Sequence, residues 1–448
     1  MTTRLLLVAA GLALAGQTAG PALVAETTID TWQDGKRGAV TLTYDDSNIN
    51  QFRVALPLMN ERRLPATFFV ITGGLEGARY AGRFVGRAPA EILRESATVP
   101  TNATNYLERI SAAPFLGYEG LITLHNAAAP PTAQTFARVD AAYAKARNGE
   151  LPKLAPNAFV YMDNKGDPIQ APPSAEGGRV TWDQLRAAAA QGHEIGSHTV
   201  THPHLDALDE ANILDELTRS RDEIRDHLGT KHLFSAECPF GIEDPRAVGY
   251  ALKIYPALRN RMPEPWLEEL DRSSRGNPTA STKPYVQWQR GAISTSTPET
   301  IKGWIDTTAD HENIWLVFVI HGVEGIGWEA LTRHTLTMMY DHIVANQDRL
   351  WVATFGDVTR YMRERMNAKV TTAPSSDGTI RVTLTHALDP ALYDLPLTLN
   401  TPVPAAWARV VVTQGAARQT LAPVRDTRGS SVTYHATPNG PAVSLSPR

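Results

Sequence analysis

Short apolar runs alternate with amphipathic stretches along most of the chain. The segment Arg37–Asn48 (RGAVTLTYDDSN) is an apolar run that ends in two acids, and Leu64–Ile71 (LPATFFVI) is a second apolar run. Between them, FRVALPLMNERR spaces its apolar residues as a helix does. This order of strand, helix and strand predicts a parallel sheet with buried strands.

The same order returns in the second half of the chain. The segment TWDQLRAAAAQGHEIGSH predicts a helix and then a strand, and Trp315–Gly322 (WLVFVIHG) predicts another buried strand with a histidine at its end. Residues Asp209–Gly229 predict an amphipathic helix that ends at the capping residue Gly229. Its apolar face is predicted to carry Ile213, Leu217, Ile224 and Leu228.

Two regions depart from this order. From about residue 74 to residue 178, helical pieces alternate with turns rich in Pro and Asn, which predicts an inserted subdomain or a set of long loops. From residue 367 to residue 448, apolar and polar residues alternate between turns, which predicts a small β-rich module. The predicted architecture is a (β/α) barrel over residues 26–366, with this insertion and the β-rich C-terminal module.

The first 25 residues have the pattern of a secretory signal peptide. Arg4 provides the positive charge, Leu5–Ala15 is apolar but too short to span a bilayer, and small residues up to Ala25 allow cleavage there. No later segment is apolar enough to span a membrane. We therefore expect a secreted or periplasmic protein, which must be stable without internal disulfides because Cys238 is the only cysteine.

Composition and net charge are those of an ordinary globular protein. Apolar residues make up 42% of the chain and charged residues 20%, as in ordinary soluble proteins. The net charge of −4 gives no reason to expect a nucleic acid or an anionic membrane surface as a partner.

Histidines concentrate in one stretch, GHEIGSHTVTHPHL, which holds four of the thirteen in the chain. His198 and His202 are four residues apart, so one helical turn or a tight loop places both rings on one side. Alone, this spacing fits a capping or hydrogen-bonding role as well as a metal site. Asp45 and Asp46 favour the metal site, because two acids at a buried strand end are costly to desolvate unless a cation is bound.

These segments resemble the polysaccharide deacetylase family, carbohydrate esterase family 4, whose NodB-homology domain is a distorted (β/α) barrel. The family's TFDD motif matches Thr43-Tyr44-Asp45-Asp46, and its H(S/T)xxH motif matches His198–His202. A later family motif, an apolar residue followed by x-His, matches Val319-Ile320-His321. The resemblance covers roughly Val40–Arg365 and is interrupted by the insertion.

The resemblance implies a role for each matching residue. Asp46, His198 and His202 would bind a divalent metal, most often Zn²⁺, with Co²⁺, Ni²⁺ or another divalent ion as alternatives. Asp45 would be the general base and His321 the general acid. His193 and His204 would then be a structural residue and a neighbour of the site.

The sequence departs from the family at two motifs. The third motif, RxP(Y/F), is matched only by Glu237-Cys238-Pro239-Phe240, so an acid replaces the arginine that orients the base. An acid there is expected to raise the pKa of Asp45. The candidates to supply the missing arginine are Arg272, Arg275 and Arg290.

The fourth motif, an Asp and a Trp that orient the catalytic histidine, has no clear match. Trp288 and Trp328 are candidates for the substrate pocket, with core packing as the alternative for both. Pro239 and Phe240 complete the candidate substrate-contacting or orienting residues.

The resulting expectation is hydrolytic deacetylation of an N- or O-acetylated carbohydrate, of the chitooligosaccharide, peptidoglycan or xylan class. The alternatives are a hydrolase of a non-sugar C–N bond on the same fold and a carbohydrate-binding protein with an inactive site. We also expect the insertion to line the substrate cleft, unless its aromatic residues pack its own core. These residues are Tyr80, Phe84, Tyr106, Phe115, Tyr118 and Tyr161.

Overall fold

The computed structural model describes most of the chain after residue 25. The described ranges are 26–80, 82–122, 124, 131–153, 161–162, 168–169, 179–241, 244–259, 261–375, 377–427 and 429–448. They form two compact units, of which the larger comprises Asp30–Asn367 and Leu388–Leu395. The predicted signal peptide, residues 1–25, lies outside the described residues.

The strands and helices follow in chain order. The strands are β1 (Thr28–Ile29), β2 (Gly38–Tyr44), β3 (Ala66–Val70), β4 (Tyr161–Met162), β5 (Pro168–Ile169), β6 (Glu194–Ser197), β7 (Ser235–Ala236), β8 (Ala257–Leu258), β9 (Leu267–Leu270), β10 (Tyr285–Arg290), β11 (Ile314–Ile320), β12 (Leu350–Val352), β13 (Lys369–Pro374), β14 (Ile380–Thr385), β15 (Leu397–Pro402), β16 (Val410–Gln414), β17 (Ala417–Leu421), β18 (Val424–Asp426), β19 (Gly429–Ala436) and β20 (Val443–Pro447). The helices are α1 (Leu56–Glu61), α2 (Pro89–Glu95), α3 (Tyr106–Ala112), α4 (Glu119–Ile122), α5 (Ala133–Arg147), α6 (Trp182–Ala190), α7 (Glu210–Leu228), α8 (Pro245–Ile254), α9 (Pro298–Asp310), α10 (Arg333–Ala345) and α11 (Phe355–Asn367).

One parallel sheet forms the centre of the larger unit. Its strand order is β8-β7-β6-β3-β2-β11-β10-β9, and β12 also pairs with β2. Every residue of β2, β3, β6 and β11 is buried, which matches the continuous apolar runs in the sequence. The sheet curls into an incomplete barrel with helices outside it, so the predicted distorted (β/α) barrel is confirmed.

Local sequence signals determine the ends of the helices around this sheet. Thr181 and Gln184 form a reciprocal capping box at the start of α6. Asp209 caps α7 by accepting a hydrogen bond from the Asn212 backbone N–H, and Gly229 ends the helix with φ 85°. The predicted apolar face of α7 is buried at Ile213, Leu217 and Ile224 and half-buried at Leu228.

The described part of the insertion is mainly helical, with one short antiparallel pair of strands, β4 and β5. Helices α2 to α5 enclose their own apolar cluster, in which Phe84, Tyr106, Phe115 and Tyr118 pack or pair with neighbouring rings. Tyr80 lies beside the guanidinium groups of Arg79 and Arg219. Phe84, Tyr106, Phe115 and Tyr118 thus pack within the insertion itself, whereas Tyr80 does not. The Tyr161 side chain lies outside the described residues.

The smaller unit comprises the chain up to Ile29 together with Ala368–Ala387 and Pro396–Arg448. It contains a sheet of order β1-β15-β19-β18 and a second sheet of order β13-β14-β20-β16-β17. Buried and exposed residues alternate in β14, as in a sheet that buries one face. Strand β1 pairs with β15, so the first described strand belongs to this β-rich unit and not to the barrel to which the sequence assigned it.

Among the helices of the described residues, none combines the length and the apolar character that crossing a membrane requires.

Candidate metal centre and its charged surroundings

The three predicted ligands, Asp46, His198 and His202, lie together at the carboxyl ends of the central strands. The Nε2 atoms of His198 and His202 are 3.6 Å and 3.4 Å from Oδ1 of Asp46. Each of the three side chains offers one ligand atom, and these atoms all lie within 4.8 Å of one another. No other such group of His, Cys, Asp or Glu occurs in the described ranges. Two imidazoles and one carboxylate on one side of a cation leave room for water and substrate, which is typical of catalytic zinc sites.

The histidine loop follows β6 and has a constrained backbone. Thr199 and His202 have φ values of 66° and 60°, in the left-handed region that non-glycine residues rarely adopt. The His198 Nδ1–H group donates a hydrogen bond to the Glu237 carbonyl oxygen at 3.0 Å, which leaves Nε2 to face Asp46. This is the second hydrogen bond that commonly orients a metal-binding histidine.

A buried carboxylate from helix α7 holds the middle of the same loop. Glu216 accepts hydrogen bonds from the backbone N–H groups of Val200 and Thr201, both at 2.9 Å, and from the Thr201 hydroxyl at 2.6 Å. The left-handed backbone at either side costs free energy, and the three bonds to Glu216 compensate for part of it. Sequence reasoning did not identify this residue.

The two acids after β2 are directed to different partners by an unusual turn. Asp46 and Ser47 have φ values of 75° and 61°. The Ser47 hydroxyl accepts a hydrogen bond from the Ile71 N–H group, and the Asp45 N–H group donates to Ile320 in the neighbouring strand. Asp46 therefore faces the histidine loop while Asp45 points toward the interior of the barrel.

Asp45 is held by an arginine that the sequence did not indicate. Arg259 donates from its two terminal nitrogens to the two carboxylate oxygens of Asp45, at 2.9 Å and 2.6 Å. The same guanidinium donates to the Thr43 hydroxyl and lies 3.0 Å from Oε1 of Glu237. Glu237, which occupies the position of the family's arginine, thus pairs with an arginine from the next strand.

This contact depends on the curvature of the sheet. Arg259 follows β8 and Asp45 follows β2, with β7, β6 and β3 between them in the sheet. In a flat sheet four strand spacings of about 4.8 Å would separate the two strands by roughly 19 Å, too far for an arginine side chain. The curl brings them into contact across the interior.

The expected effect of Glu237 on Asp45 is therefore wrong. Burial raises the pKa of Asp45, but Arg259, His198 and His321 more than offset it, so the pKa lies below its usual range. Burial instead raises the pKa of Glu237 itself, against the opposing charge of Arg259. Asp45 is thus an ionised carboxylate at neutral pH, as a general base must be.

The charges of Asp46 and His202 also suit a cation. Burial lowers the pKa of His198, but its hydrogen bond to Asp46 and the charges of Asp45 and Asp46 raise it overall, so a metal bound at this ring would displace a proton. Burial raises the pKa of Asp46, but the hydrogen bond to His198 and the nearby imidazoles hold it well below its usual range. Burial, and next the charge of His198, lower the pKa of His202 to about 3, so its ring is neutral at neutral pH. A neutral imidazole and an ionised carboxylate are the forms that bind metal.

His321, from the end of β11, completes the group. Its Nε2 atom lies 3.5 Å from Oδ2 of Asp45, and its ring contacts the Trp328 indole edge-to-face with centroids 4.7 Å apart. Burial lowers its pKa; Asp46 and Asp45 oppose that shift, and Arg272 and Arg259 add to it. Nδ1 has no hydrogen-bond partner among the described atoms, in keeping with the missing fourth motif.

The remaining candidates divide between the rim of the site and the core. Phe240, with φ 63°, contacts the rings of both His202 and His204, and Pro239 is buried beside it. Trp328 is exposed next to His321, whereas Trp288 is buried in the apolar core.

None of the three candidate arginines makes a described contact with Asp45. Arg290 donates to the backbone carbonyls of Arg272 and Ser274 and stacks on Trp288, and Arg275 is exposed. His193 accepts a hydrogen bond from the Ala66 N–H group, as a structural residue would.

Comparison with known proteins identifies the segment that carries the histidine loop. The family model described as polysaccharide deacetylase matches residues 155–254, which include His198, His202 and Glu237. The match confirms, for this segment, the family expected from the sequence.

One relative matches a longer part of the chain than the family model does. It is a gellan lyase from a Bacillus species, 27% identical over an alignment of 252 residues that covers 52% of this chain. The chain spans 10% of the length of that relative.

Solved structures similar to the deacetylase domain have low sequence identity. The chitin deacetylase of Colletotrichum lindemuthianum is 15% identical, with a TM-score of 0.34 over 72% of this chain and 88% of that chain. A family 4 carbohydrate esterase from Streptomyces lividans is 12% identical, with a TM-score of 0.32 over 70% and 91%. Values this low add nothing to the family assignment, which depends on the matched segment and its residues.

Proposed function

We propose that this protein hydrolyses the acetyl group of an N- or O-acetylated carbohydrate in a metal-dependent reaction. The observation that carries the proposal is the convergence of Asp46, His198 and His202 beside Asp45 and His321. A ligand group with an open side, a paired carboxylate and a histidine in reach of that carboxylate are the components that hydrolysis of an acetyl group needs.

The donor set fits a borderline cation such as Zn²⁺, with Co²⁺ or Ni²⁺ as alternatives, because two imidazole nitrogens and one carboxylate oxygen are available. When bound, the cation would polarise the acetyl carbonyl and lower the pKa of a water molecule. His198 would offer Nε2, since its Nδ1–H is committed to Glu237.

Asp45 and His321 then transfer the protons, and Arg259 orients Asp45. Asp45 accepts a proton from the attacking water, whose oxygen forms a bond to the carbonyl carbon. Arg259 keeps both Asp45 oxygens oriented and the carboxylate ionised. His321 donates a proton to the leaving nitrogen or oxygen as the bond to the acetyl carbon breaks, and acetate and the deacetylated sugar are released.

The lowered pKa of His321 leaves its ring neutral before the reaction, so the proton that it donates is the one that Asp45 takes from the water, passed across the 3.5 Å between Oδ2 of Asp45 and Nε2 of His321. We also propose that the protein acts outside the cytoplasm, on the pattern of residues 1–25.

Acetate release from acetylated substrates tests the proposal. The panel comprises chitooligosaccharides, peptidoglycan fragments and acetylated xylooligosaccharides, each with and without chelator and with Zn²⁺ or Co²⁺ added back. We expect acetate from at least one carbohydrate, loss of activity with chelator, and recovery with metal.

Two results would count against the proposal. Carbohydrate binding without acetate release by the metal-loaded protein would favour an inactive binding protein. Hydrolysis of a non-sugar C–N bond, with every carbohydrate inert, would favour the alternative hydrolase.

A further inference from the structure

An exposed tryptophan stands next to the proposed acid. Trp328 is 36% exposed, which is unusual for a large apolar side chain in the described ranges, and its ring contacts that of His321. Indole surfaces at sugar sites commonly pack against the C–H groups of a pyranose ring. Its position places such a sugar directly beside the group being deacetylated.

An arginine without a carboxylate partner lies against this tryptophan. The guanidinium carbon of Arg272 is 5.5 Å from the Trp328 ring centroid, and one terminal nitrogen donates to the Phe240 carbonyl at 3.3 Å. Within the described residues, Arg272 forms no ion pair with a carboxylate within 4.0 Å, in contrast to Arg259, which pairs with two.

Two acids, Glu329, whose pKa the charge of Arg272 affects, and the adjacent Asp271, are engaged elsewhere. Glu329 accepts a hydrogen bond from the Ala292 backbone, and Asp271 accepts hydrogen bonds from Ser273 and the following turn. The charge of Arg272 lowers the pKa of Glu329, against the larger effect of burial, which raises it. It also lowers the pKa of His321, in the same direction as burial. A guanidinium in this position retains donors for a ligand.

The backbone around Arg272 fixes its position. A Cβ atom at Gly291 would lie 3.2 Å from Cδ of Arg272, so the absence of a side chain there lets the arginine stem pack closely. Arg290 donates to the Arg272 carbonyl oxygen at 3.2 Å. An arginine held this way loses less conformational entropy on binding a ligand than a mobile surface arginine does.

We propose that Trp328 and Arg272 together bind a carboxylate-bearing sugar next to the acetylated residue, so that the substrate is an acetylated carbohydrate containing uronic or another carboxylated sugar. This inference rests on the proposed function and narrows its substrate class. The sugar ring packs on Trp328, and its carboxylate accepts hydrogen bonds from the planar fork of Arg272. A carboxylate fits better than a phosphate ester, because the nearby Glu329 repels a dianion more strongly than a monoanion.

A matched pair of substrates tests this. One is an acetylated oligosaccharide containing a uronic acid, and the other is the same oligosaccharide with the carboxyl group reduced to an alcohol. We expect the metal-loaded wild-type protein to have about tenfold higher kcat/KM for the acidic form, mainly through a lower KM. Added salt should reduce this ratio, because the charged partners are partly exposed.

Variants assign the preference to the two residues. In Arg272→Ala the ratio of kcat/KM for the acidic and reduced substrates should fall to about one, and Trp328→Ala should raise KM for both forms. The matched control is Arg275→Ala, three residues further on and exposed, which should keep the wild-type ratio and the wild-type rates.

The outcomes separate this inference from the proposed function. Equal hydrolysis of both forms by the wild type, or an unchanged ratio in Arg272→Ala, would overturn the carboxylate site and leave the deacetylase proposal standing. A preference for sulfated or phosphorylated oligosaccharides over the uronate would also overturn it. If neither form is hydrolysed, calorimetric binding of the acidic oligosaccharide decides: binding that Arg272→Ala abolishes supports the site, and absence of binding rejects it.

Discussion

The two acids after β2 lie next to each other in the chain but in contrasting surroundings. Asp46 faces a histidine pair supplied by one short loop, in the spacing that the sequence displays. Asp45 faces Arg259 and Glu237, which come from the ends of two other strands. The metal side of the site is therefore local in sequence, whereas the base side is assembled across the barrel.

This contrast indicates which residues of such a site can be supplied from a different position in the fold. A pair of ligands on one loop must keep its spacing, because both rings have to reach one ion. A positive charge for the base can come from any strand end that points into the barrel. Here an acid occupies the usual position of the arginine, and the arginine stands at the end of the neighbouring strand, with its backbone N–H bonded to Ala236.

The largest effect is expected on the metal side. His198→Ala removes one ligand and the link to the Glu237 carbonyl, so we expect the protein to lose its metal on dialysis and its activity by a thousandfold or more, an estimate from the size of metal and acid–base effects. Metal content by mass spectrometry and acetate release measure both losses. His204→Ala, in the same stretch, is the control and should retain the metal; equal metal loss in the two variants would contradict the assignment.

The adjacent acids can be separated by isosteric changes. Asp45→Asn removes the proton acceptor but no proposed ligand, so kcat should fall by about a hundredfold to ten-thousandfold while metal content stays at the wild-type level. Asp46→Asn should lower metal affinity as well. The division of roles between the two acids does not hold if both variants bind metal equally well or equally poorly.

On the base side, Arg259 should matter more than Glu237. Arg259→Gln leaves two buried carboxylates without their cation, so we expect about a hundredfold loss of kcat and a loss of unfolding free energy of about 3–5 kcal/mol. Burial, which raises the pKa of Asp45, is then unopposed by Arg259, so the acidic limb of the activity profile should move to higher pH.

Glu237→Gln is the matched change, because it preserves the fork between Arg259 and Asp45. It should keep kcat within about tenfold of wild type. The double variant should recover part of the stability that Arg259→Gln loses, as a coupled pair does. A larger loss of kcat in Glu237→Gln than in Arg259→Gln would reverse our view of this pair.

A variant of Glu216 tests how far the histidine loop depends on the hydrogen bonds that Glu216 accepts from it. Glu216→Gln removes the charge and keeps only one acceptor oxygen for the three donors of Val200 and Thr201, so metal affinity should fall by about tenfold, the lower end for residues behind metal ligands. Glu223→Gln is the control on the same helix, since Glu223 accepts from Arg79 and Tyr80. Metal titrations in which both variants behave alike would show that Glu216 only stabilises the fold.

The smallest effect concerns Glu364, a buried carboxylate whose pKa is raised, whereas that of Asp45 is lowered. Burial raises the pKa of Glu364 to about 7, so the folded protein binds this proton more tightly than the unfolded chain does. The resulting stability is complete below the unfolded pKa near 4.5 and is lost as pH rises through 7.

Glu364→Gln removes this titration while keeping the acceptor for the Leu395 N–H group. Between pH 5 and pH 8 the wild type should lose about 1 kcal/mol more unfolding free energy than this variant. Exposed Glu76→Gln should follow the wild-type curve in the same denaturant titrations. Parallel curves for all three proteins would show that Glu364 has an ordinary pKa.

Local patterns in the sequence predicted the elements that depend on local physics. The apolar runs of β2, β3 and β11, the helix α7 with its Asp209 and Gly229 ends, and the barrel that these imply are all present. The positions of Asp46, His198 and His202 follow in turn, because each lies at a buried strand end or in the loop after it.

The sequence could not predict Arg259, because its role depends on how tightly a sheet curls. The only local signal is that it directly follows two buried residues, Ala257 and Leu258, as a strand-end residue does. Glu216 is similarly hidden, since one acid on an amphipathic helix looks like any other until the helix is docked on the loop. The sequence also does not predict that β1 pairs with β15, because its only signal in this module is the alternation of apolar and polar residues.

That pairing has a consequence for how the chain is made. The hydroxyl groups of Thr27 and Thr401 meet at 2.9 Å although they are 374 residues apart in the chain. During synthesis, at about 5–20 residues per second, the first described strand has to wait tens of seconds before its partner leaves the ribosome. This sheet can therefore form only after most of the chain has been made.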